Sequence, residues 1–120
     1  MTDTISREEI RTRLDSGKPI TLVEALPSKY FDAQHLPGAI NIPHDQVREL
    51  APALLPDKAA LIAVYCASTE CNNLRIATNL LRSLGYSNAR EYVDGKKDWI
   101  DAGLPLEAGV QRRASQAAFA

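Results

Sequence analysis

Near the middle of the chain, seven consecutive apolar residues, Ala59–Tyr65, set the fold class. The run lacks the apolar–polar alternation of a strand with one side in water, so both of its faces are predicted to be buried. A strand of this kind is typical of a parallel sheet covered by helices on both sides. The run ends in Cys66, which is therefore expected at the carboxyl end of the strand.

A strong helix signal follows this run, after the short segment of small and polar residues that begins at Cys66. The side chain of Asn72 is predicted to cap the helix, and Gly85 to end it. The apolar residues between them recur at helical spacing and form one face: Leu74, Ala77, Leu81 and Leu84. Strand, short loop and helix thus follow one another around Cys66.

Shorter signals on both sides of this unit alternate between helix and strand. Ser6 and Glu9 form a capping box that predicts a helix ending at Gly17. Further strands are predicted at Ile20–Ala25, Ala39–Ile42 and Ala89–Val93, and further helices at Lys29–Ala33, after a cap at Asp45, and at Lys96–Ala102. The order predicts an α/β fold: a small parallel sheet flanked by helices on both faces. Residues 1–108 are predicted to form one domain, and 109–120 a tail that is a frayed or loosely docked helix.

The composition of the chain argues against some classes of binding partner. Fourteen Lys and Arg against fifteen Asp and Glu give a net charge of -1, which provides no basic field for nucleic acid or an anionic membrane. The start of the chain lacks the pattern of a secretory signal, so a cytoplasmic protein is expected. Two cysteines and two distant histidines do not have the spacing of a zinc site, and no metal is expected.

Cys66 is the candidate nucleophile. The amino end of a helix presents unpaired backbone N–H groups and a partial positive charge, which favour a thiolate over a thiol. A cysteine held between a strand and such a helix is expected to have a lowered pKa and to react at neutral pH.

Separated motifs around this unit resemble the rhodanese family of sulfurtransferases. The resemblance covers about Ile5 to Leu106, with three motifs in order at domain spacing. It is carried by Leu22–Glu24 with Tyr30–Pro43, by Val64–Cys66 with its loop and helix, and by Asp94–Pro105.

The resemblance implies a persulfide mechanism. In that family the cysteine, here Cys66, takes a sulfane sulfur from a small donor and passes it to a thiol or protein acceptor. The loop would surround the sulfur with backbone N–H groups, without a metal or organic cofactor. Its substrate-binding residues would be Ala67, Ser68, Thr69, Glu70, Cys71 and Asn72.

Three departures from the family pattern bear on the substrate. The first strand usually ends in Asp, a spacer and Arg, whereas Glu24 is followed by two apolar residues, so a charged contact is expected to be missing. The loop carries Glu70 and no cation, which predicts that dianionic thiosulfate is a poor donor. Asp94 replaces the first Gly of the last motif, which is expected to alter a turn rather than the chemistry.

Cys71 admits two interpretations. As a resolving thiol it would attack a persulfide or sulfenate on Cys66 and leave an internal disulfide; otherwise it is a small packing residue at the helix entry. The alternative to a sulfurtransferase is accordingly a catalytically weak binding or redox-switch module that uses a Cys66–Cys71 disulfide. Related phosphatases require an Arg where this chain has Asn72, so phosphate-ester hydrolysis is disfavoured.

Overall fold

A computed structural model describes residues 4–109, in which four strands alternate with five α-helices. A 3-10 turn, His44–Gln46, precedes the third helix. The strands are β1 Thr21–Glu24, β2 Ile40–Asn41, β3 Ile62–Tyr65 and β4 Ala89–Tyr92. The helices are α1 Arg7–Ser16, α2 Ser28–Ala33, α3 Val47–Leu54, α4 Asn73–Ser83 and α5 Gly95–Asp101.

The strands form one parallel sheet in the order β2-β1-β3-β4. β3 pairs with β1 on one side and with β4 on the other, so that Val64 lies between Val23 and Glu91. All four residues of β3 are buried, as the uninterrupted apolar run predicts. The predicted fold class, a parallel sheet with helices on both faces, is confirmed.

Each face of the sheet carries its own apolar core. Alternate side chains of β3 point to opposite faces, so Ile62 and Val64 belong to one core, and Ala63 and Tyr65 to the other. The first core packs under α3 and α4 and includes Ala51, Leu74, Ala77 and Leu81. The second packs under α1, α2 and α5 and includes Ile10, Phe31, Tyr92 and Trp99.

The first helix begins and ends where local chemistry predicts. Ser6 Oγ accepts a hydrogen bond from the Glu9 N–H at 3.1 Å, and Glu9 Oε1 accepts one from the Ser6 N–H at 3.1 Å. Gly17 ends the helix with a φ of 71°, in the left-handed region that favours glycine. Arg7 then ties α1 to α5 through a 2.8 Å ion pair with Asp98.

Two predicted caps are wrong in detail. Asp45 lies inside the 3-10 turn, and Gln46 precedes α3 without a side-chain cap. Asn72 does stand at the start of α4, but its side chain caps nothing because its backbone is already helical, with φ -82° and ψ -15°. β3 is also shorter than predicted: Ala59 and Ala60 lie in a turn, where both backbone N–H groups bond to Asp57.

The described chain ends close to the sheet-and-helix body. Glu107 pairs with His35 as an isolated antiparallel bridge, and the Gly109 N–H donates to the Asp32 carbonyl at 2.7 Å. The remainder of the predicted tail helix, 110–120, lies outside the described residues. Among the helices in 4–109, none combines the length and the apolar character needed to cross a membrane.

Candidate active site

Cys66 directly follows β3 at the carboxyl edge of the sheet and is fully buried. Its side chain belongs to the core under α3 and α4, together with Ala25, Leu26 and Leu74. The strand, the loop and α4 therefore place this cysteine as the sequence predicts. Parallel sheets present their binding sites at this edge, because the loops that follow the strands meet there.

The structure joins Cys66 to Cys71 in a disulfide. Their Cα atoms are 6.3 Å apart, within the usual range for such a bond. The two side chains therefore do turn toward each other, as a resolving role for Cys71 requires. In this oxidised state Cys66 has no thiolate, so a reductant must open the pair before Cys66 can act as a nucleophile.

The intervening loop lies mostly in water. Ala67, Thr69 and Glu70 are exposed, while Ser68 and Cys71 are half-buried. The Cys71 N–H donates to the Ser68 carbonyl at 3.2 Å, and the Glu70 N–H donates to Ser68 Oγ at 3.4 Å. Two of the N–H groups that the family resemblance assigns to the sulfur are thus engaged within the loop in the disulfide state. The remaining predicted binding residue, Asn72, is also exposed.

The first turn of α5 holds the start of the loop. The Lys96 N–H donates to the Cys66 carbonyl at 2.9 Å, and the Lys97 N–H donates to the Ala67 carbonyl at 2.8 Å. Gly95 makes this approach feasible: its φ is +73°, and a Cβ there would lie 2.8 Å from the Cys66 oxygen. Only glycine fits both conditions.

Asp94 stands where the resemblance to the family predicts a glycine, but its backbone does not need one. Its φ of -70° and ψ of -24° are open to any residue, and its side chain makes no capping bond. The substitution therefore leaves the backbone at the start of α5 unstrained.

A buried ion pair connects α5 to β1 and gives Glu24 a charged partner, although the two residues that follow Glu24 are apolar. Glu24 is fully buried, and its Oε2 lies 3.0 Å from Lys96 Nζ. The ammonium also donates to the carbonyls of Tyr30 at 3.1 Å and Gln34 at 2.6 Å, so its three N–H groups are all used. Lys96 thus links the loop, the end of β1 and the carboxyl end of α2.

Tyr65 completes the coordination of the Glu24 carboxylate. Its hydroxyl donates to Glu24 Oε1 at 2.8 Å and accepts from the Leu36 N–H at 3.1 Å. Burial raises the pKa of Glu24, an effect that Lys96 opposes, and burial beside Glu24 raises the pKa of Tyr65. The sequence alone does not indicate this pair, because 72 positions separate its members. The available signal was a carboxylate at the end of a buried strand, which requires a partner.

A cavity of about 290 Å³ opens beside the start of the loop. Ala67 lines it, and Leu26 lies both in its wall and in the core that contains Cys66. Most of its other walls are aliphatic or aromatic carbon, including the exposed side chains of Tyr30 and Ile100. The cavity is therefore an apolar recess next to the candidate nucleophile.

Acidic side chains border a second recess beside the loop. Ser68 and Thr69 line it together with Lys97, which also lines the apolar cavity, and with Asp94, Asp98 and Asp101. Two of these aspartates are paired, Asp98 with Arg7 and Asp101 with Lys97, each at 2.8 Å. Within 4–109, however, no three His, Cys, Asp or Glu side chains are grouped so that they could hold a metal ion. Arg75 is exposed on α4.

Comparison with known proteins identifies related sequences. Residues 6–102 match the family model described as the rhodanese-like domain. The thiosulfate:glutathione sulfurtransferase of Homo sapiens is 35% identical over 111 residues, which cover 82% of this chain and 93% of the human protein. The HTH-type transcriptional regulator Rv0324 of Mycobacterium tuberculosis is 34% identical over 108 residues, or 90% of this chain.

Coverage differs among these relatives. The match spans 46% of the mycobacterial regulator and 23% of the rice adenylyltransferase and sulfurtransferase MOCS3. Among solved structures, a human single-domain sulfurtransferase superposes with a TM-score of 0.73 at 27% identity, covering 84% of this chain and 97% of that one. The BH2092 protein from Bacillus halodurans shares the fold with a TM-score of 0.82 at 21% identity, over 89% of this chain and 77% of that one.

Proposed function

The chain belongs to the rhodanese-like domain family, and on that basis we propose that it is a sulfurtransferase that carries sulfane sulfur as a persulfide on Cys66. The observation that carries the proposal is the position of Cys66. It stands between buried β3 and the loop before α4, with its carbonyl fixed by the Lys96 N–H. A reduced thiol held in this way keeps its place while sulfur is exchanged at the edge of the sheet.

The transfer takes two balanced steps. The Cys66 thiolate attacks the outer sulfur of a donor R–S–SH, forming Cys66–S–SH and releasing the thiolate R–S⁻. An acceptor thiolate then attacks the same outer sulfur, forms its own persulfide and releases the Cys66 thiolate. Each step exchanges one S–S bond for another, so no external oxidant is consumed.

Two features favour a persulfide or polysulfide donor over thiosulfate. Glu70 is exposed in the loop, where it opposes the approach of a dianion. Both lysines that line the adjacent cavity are already paired with carboxylates. The human relative is named for thiosulfate and glutathione. For this chain the proposed acceptors are small thiols or protein thiols, in the cytoplasm, where dithiol reductants can reopen the Cys66–Cys71 pair.

The disulfide favours a second candidate function, a redox switch. The Cys71 thiolate would attack the inner sulfur of Cys66–S–SH and release HS⁻, which leaves the Cys66–Cys71 disulfide. A sulfenic acid formed on Cys66 by peroxide would condense with the Cys71 thiol to give the same disulfide and water. The Cys66–Cys71 disulfide supports this proposal, because it requires the two side chains to reach each other.

Intact-protein mass spectrometry tests the main proposal. The protein is reduced, freed of reductant, and incubated in turn with thiosulfate, mercaptopyruvate and glutathione persulfide. We expect a gain of one sulfur atom from the persulfide donor, retained in Cys71→Ser and absent in Cys66→Ser. Absence of an adduct from every donor would refute the carrier. A loss of two hydrogens that requires both cysteines would favour the switch.

A further inference from the structure

The two lysines that line the cavity beside Cys66 carry different kinds of ion pair. Lys96 and Glu24 are 3.0 Å apart, with side chains 11% and 0% exposed. Lys97 and Asp101 are 2.8 Å apart, with side chains 69% and 61% exposed. Water and salt screen the second pair, whereas the first pair lies in the protein interior, where a charge acts more strongly. Glu24 therefore compensates the charge of Lys96 more strongly than Asp101 compensates that of Lys97.

We propose that Glu24 determines donor specificity: its carboxylate cancels the charge of Lys96 in the cavity wall, so that the site beside Cys66 disfavours dianionic donors and accepts persulfides with an apolar body. The inference rests on the proposed sulfurtransferase function and names the substrate class of the same site. It assigns a specificity role to a residue that does not itself touch the reacting sulfur.

Hydrogen bonding supports this assignment. The three N–H groups of Lys96 point to Glu24 Oε2 and to the carbonyls of Tyr30 and Gln34. None is left to donate to an anion in the cavity. The surfaces that remain for a ligand are mainly carbon, from Leu26, Ala33 and Ile100 among others. An apolar group fits such a recess without losing a hydrogen bond, whereas a dianion would find no free N–H on Lys96 and only the exposed, solvent-screened ammonium of Lys97.

Glu24→Gln removes the negative charge of the side chain while keeping its size and shape. The carboxamide oxygen can still accept from Lys96, and its NH₂ can donate to the Tyr65 hydroxyl oxygen, which also accepts from the Leu36 N–H; the Tyr65 O–H, which donates to Glu24 in the parent, loses its acceptor. The variant leaves one uncompensated ammonium in the cavity wall. Asp101→Asn is the matched control, because it frees the other lysine of the same cavity at an exposed position.

A sulfate titration tests the inference without any sulfur transfer. In a reduced Cys66→Ser background, sodium sulfate is added while NMR follows the amide signals of Ala67 and Lys97. We expect Glu24→Gln to tighten sulfate binding about tenfold, because the uncompensated charge of Lys96 then attracts the nearby dianion. Asp101→Asn should change it less than about twofold. Equal effects of the two variants, or none at Glu24, would overturn the proposal.

Two further variants test exposed charge and folding separately. Ala33→Lys adds a cation to the same cavity from an exposed position without touching the buried pair, so, like Asp101→Asn, it should change sulfate binding less than about twofold. Glu24→Gln combined with Lys96→Met removes both charges and should return sulfate affinity to that of the parent. If Ala33→Lys tightens sulfate binding as much as Glu24→Gln does, exposed charge is sufficient and the proposal fails.

Donor kinetics complete the test. The ratio of kcat/KM for thiosulfate to that for an aliphatic persulfide should rise about tenfold in Glu24→Gln. A purely structural role would change both donors equally and leave the ratio where it was. If no donor transfers sulfur to the unmodified chain, the proposed function fails, while the sulfate titration still judges the role of Glu24.

Discussion

The two halves of the loop after Cys66 are held by different means. In the first half, the carbonyls of Cys66 and Ala67 each accept a backbone hydrogen bond from α5. In the second half, the hydrogen bonds of Glu70 and Cys71 run to Ser68 within the loop itself. The first half is fixed to an element distant in sequence, whereas the second is stabilised mainly by its neighbours.

Because of this difference, the position of Cys66 and its redox state are controlled by different parts of the loop. The backbone of Cys66 belongs to the fixed half, so its place does not depend on whether the disulfide is closed. Cys71 belongs to the other half, so opening the disulfide frees residues that are mostly exposed. We therefore expect reduction to release the side of the loop that would rearrange around a persulfide, while the nucleophile stays where β3 and α5 hold it.

The largest expected effect comes from breaking the buried Glu24–Lys96 ion pair, whose lysine lies in the helix that holds the first half of the loop. Lys96→Met leaves Glu24 buried without a cation and should lower the free energy of unfolding by about 3 kcal/mol near neutral pH. Chemical denaturation of the reduced protein measures this change. The matched control is Glu24→Gln with Lys96→Met, which removes both charges and should recover most of the loss.

The same variant should show a pH dependence of known sign. Burial raises the pKa of Glu24 and Lys96 opposes the rise, so removing Lys96 raises it further. A carboxyl with a higher pKa in the folded than in the unfolded protein favours folding only while protonated. The cost of Lys96→Met should therefore be small below the ordinary carboxyl pKa and grow as the pH rises through the folded one. A cost independent of pH between about 4 and 8 would contradict this account.

A smaller effect is expected from disturbing the close contact between α5 and the loop. In Gly95→Ala, the new Cβ is strained by the left-handed backbone and also clashes with the Cys66 carbonyl oxygen. The substitution should lower the free energy of unfolding by about 2–3 kcal/mol. Gly103→Ala is the control, because its φ of +72° is nearly the same but no atom lies within 4 Å of the added Cβ. It should cost about 1 kcal/mol. Equal costs by chemical denaturation would mean that the contact with Cys66 is unimportant.

The smallest effect belongs to the second half of the loop. Asn72→Ala should change stability by less than about 0.5 kcal/mol, since the Asn72 side chain makes no capping bond. Ser6→Ala removes a working capping box and should cost about 1 kcal/mol. If thermal unfolding shows Asn72→Ala to be as costly as Ser6→Ala, the second half of the loop is held more firmly than its contacts indicate.

Local patterns predicted much of the fold because local forces decide it. The Ser6–Glu9 box, the stop at Gly17 and the buried β3 each depend on residues close in sequence. The cap at Asp45 failed because a 3-10 turn displaced the start of α3, which a spacing rule does not detect.

The candidate site was predictable only in part. The order of strand, loop and helix indicates where Cys66 lies, but not which groups surround it. The pairing of Glu24 with Lys96 depends on how the first strand and the last helix meet in three dimensions, and no local pattern contains that information. Likewise, the closure of Cys66 on Cys71 depends on the path of the loop, which the spacing of two cysteines leaves open.

The closed Cys66–Cys71 pair also determines what oxidative damage can do to this protein. A solitary reactive cysteine that forms a sulfenic acid can be oxidised onward to sulfinic and sulfonic acids, and the latter is never repaired. Here the sulfur of Cys66 is bonded to a neighbour and buried from solvent. The sulfur of Cys66 is therefore already in a disulfide, an oxidation state that a single reduction reverses to the thiol. The disulfide that inactivates Cys66 thus also protects it from irreversible oxidation.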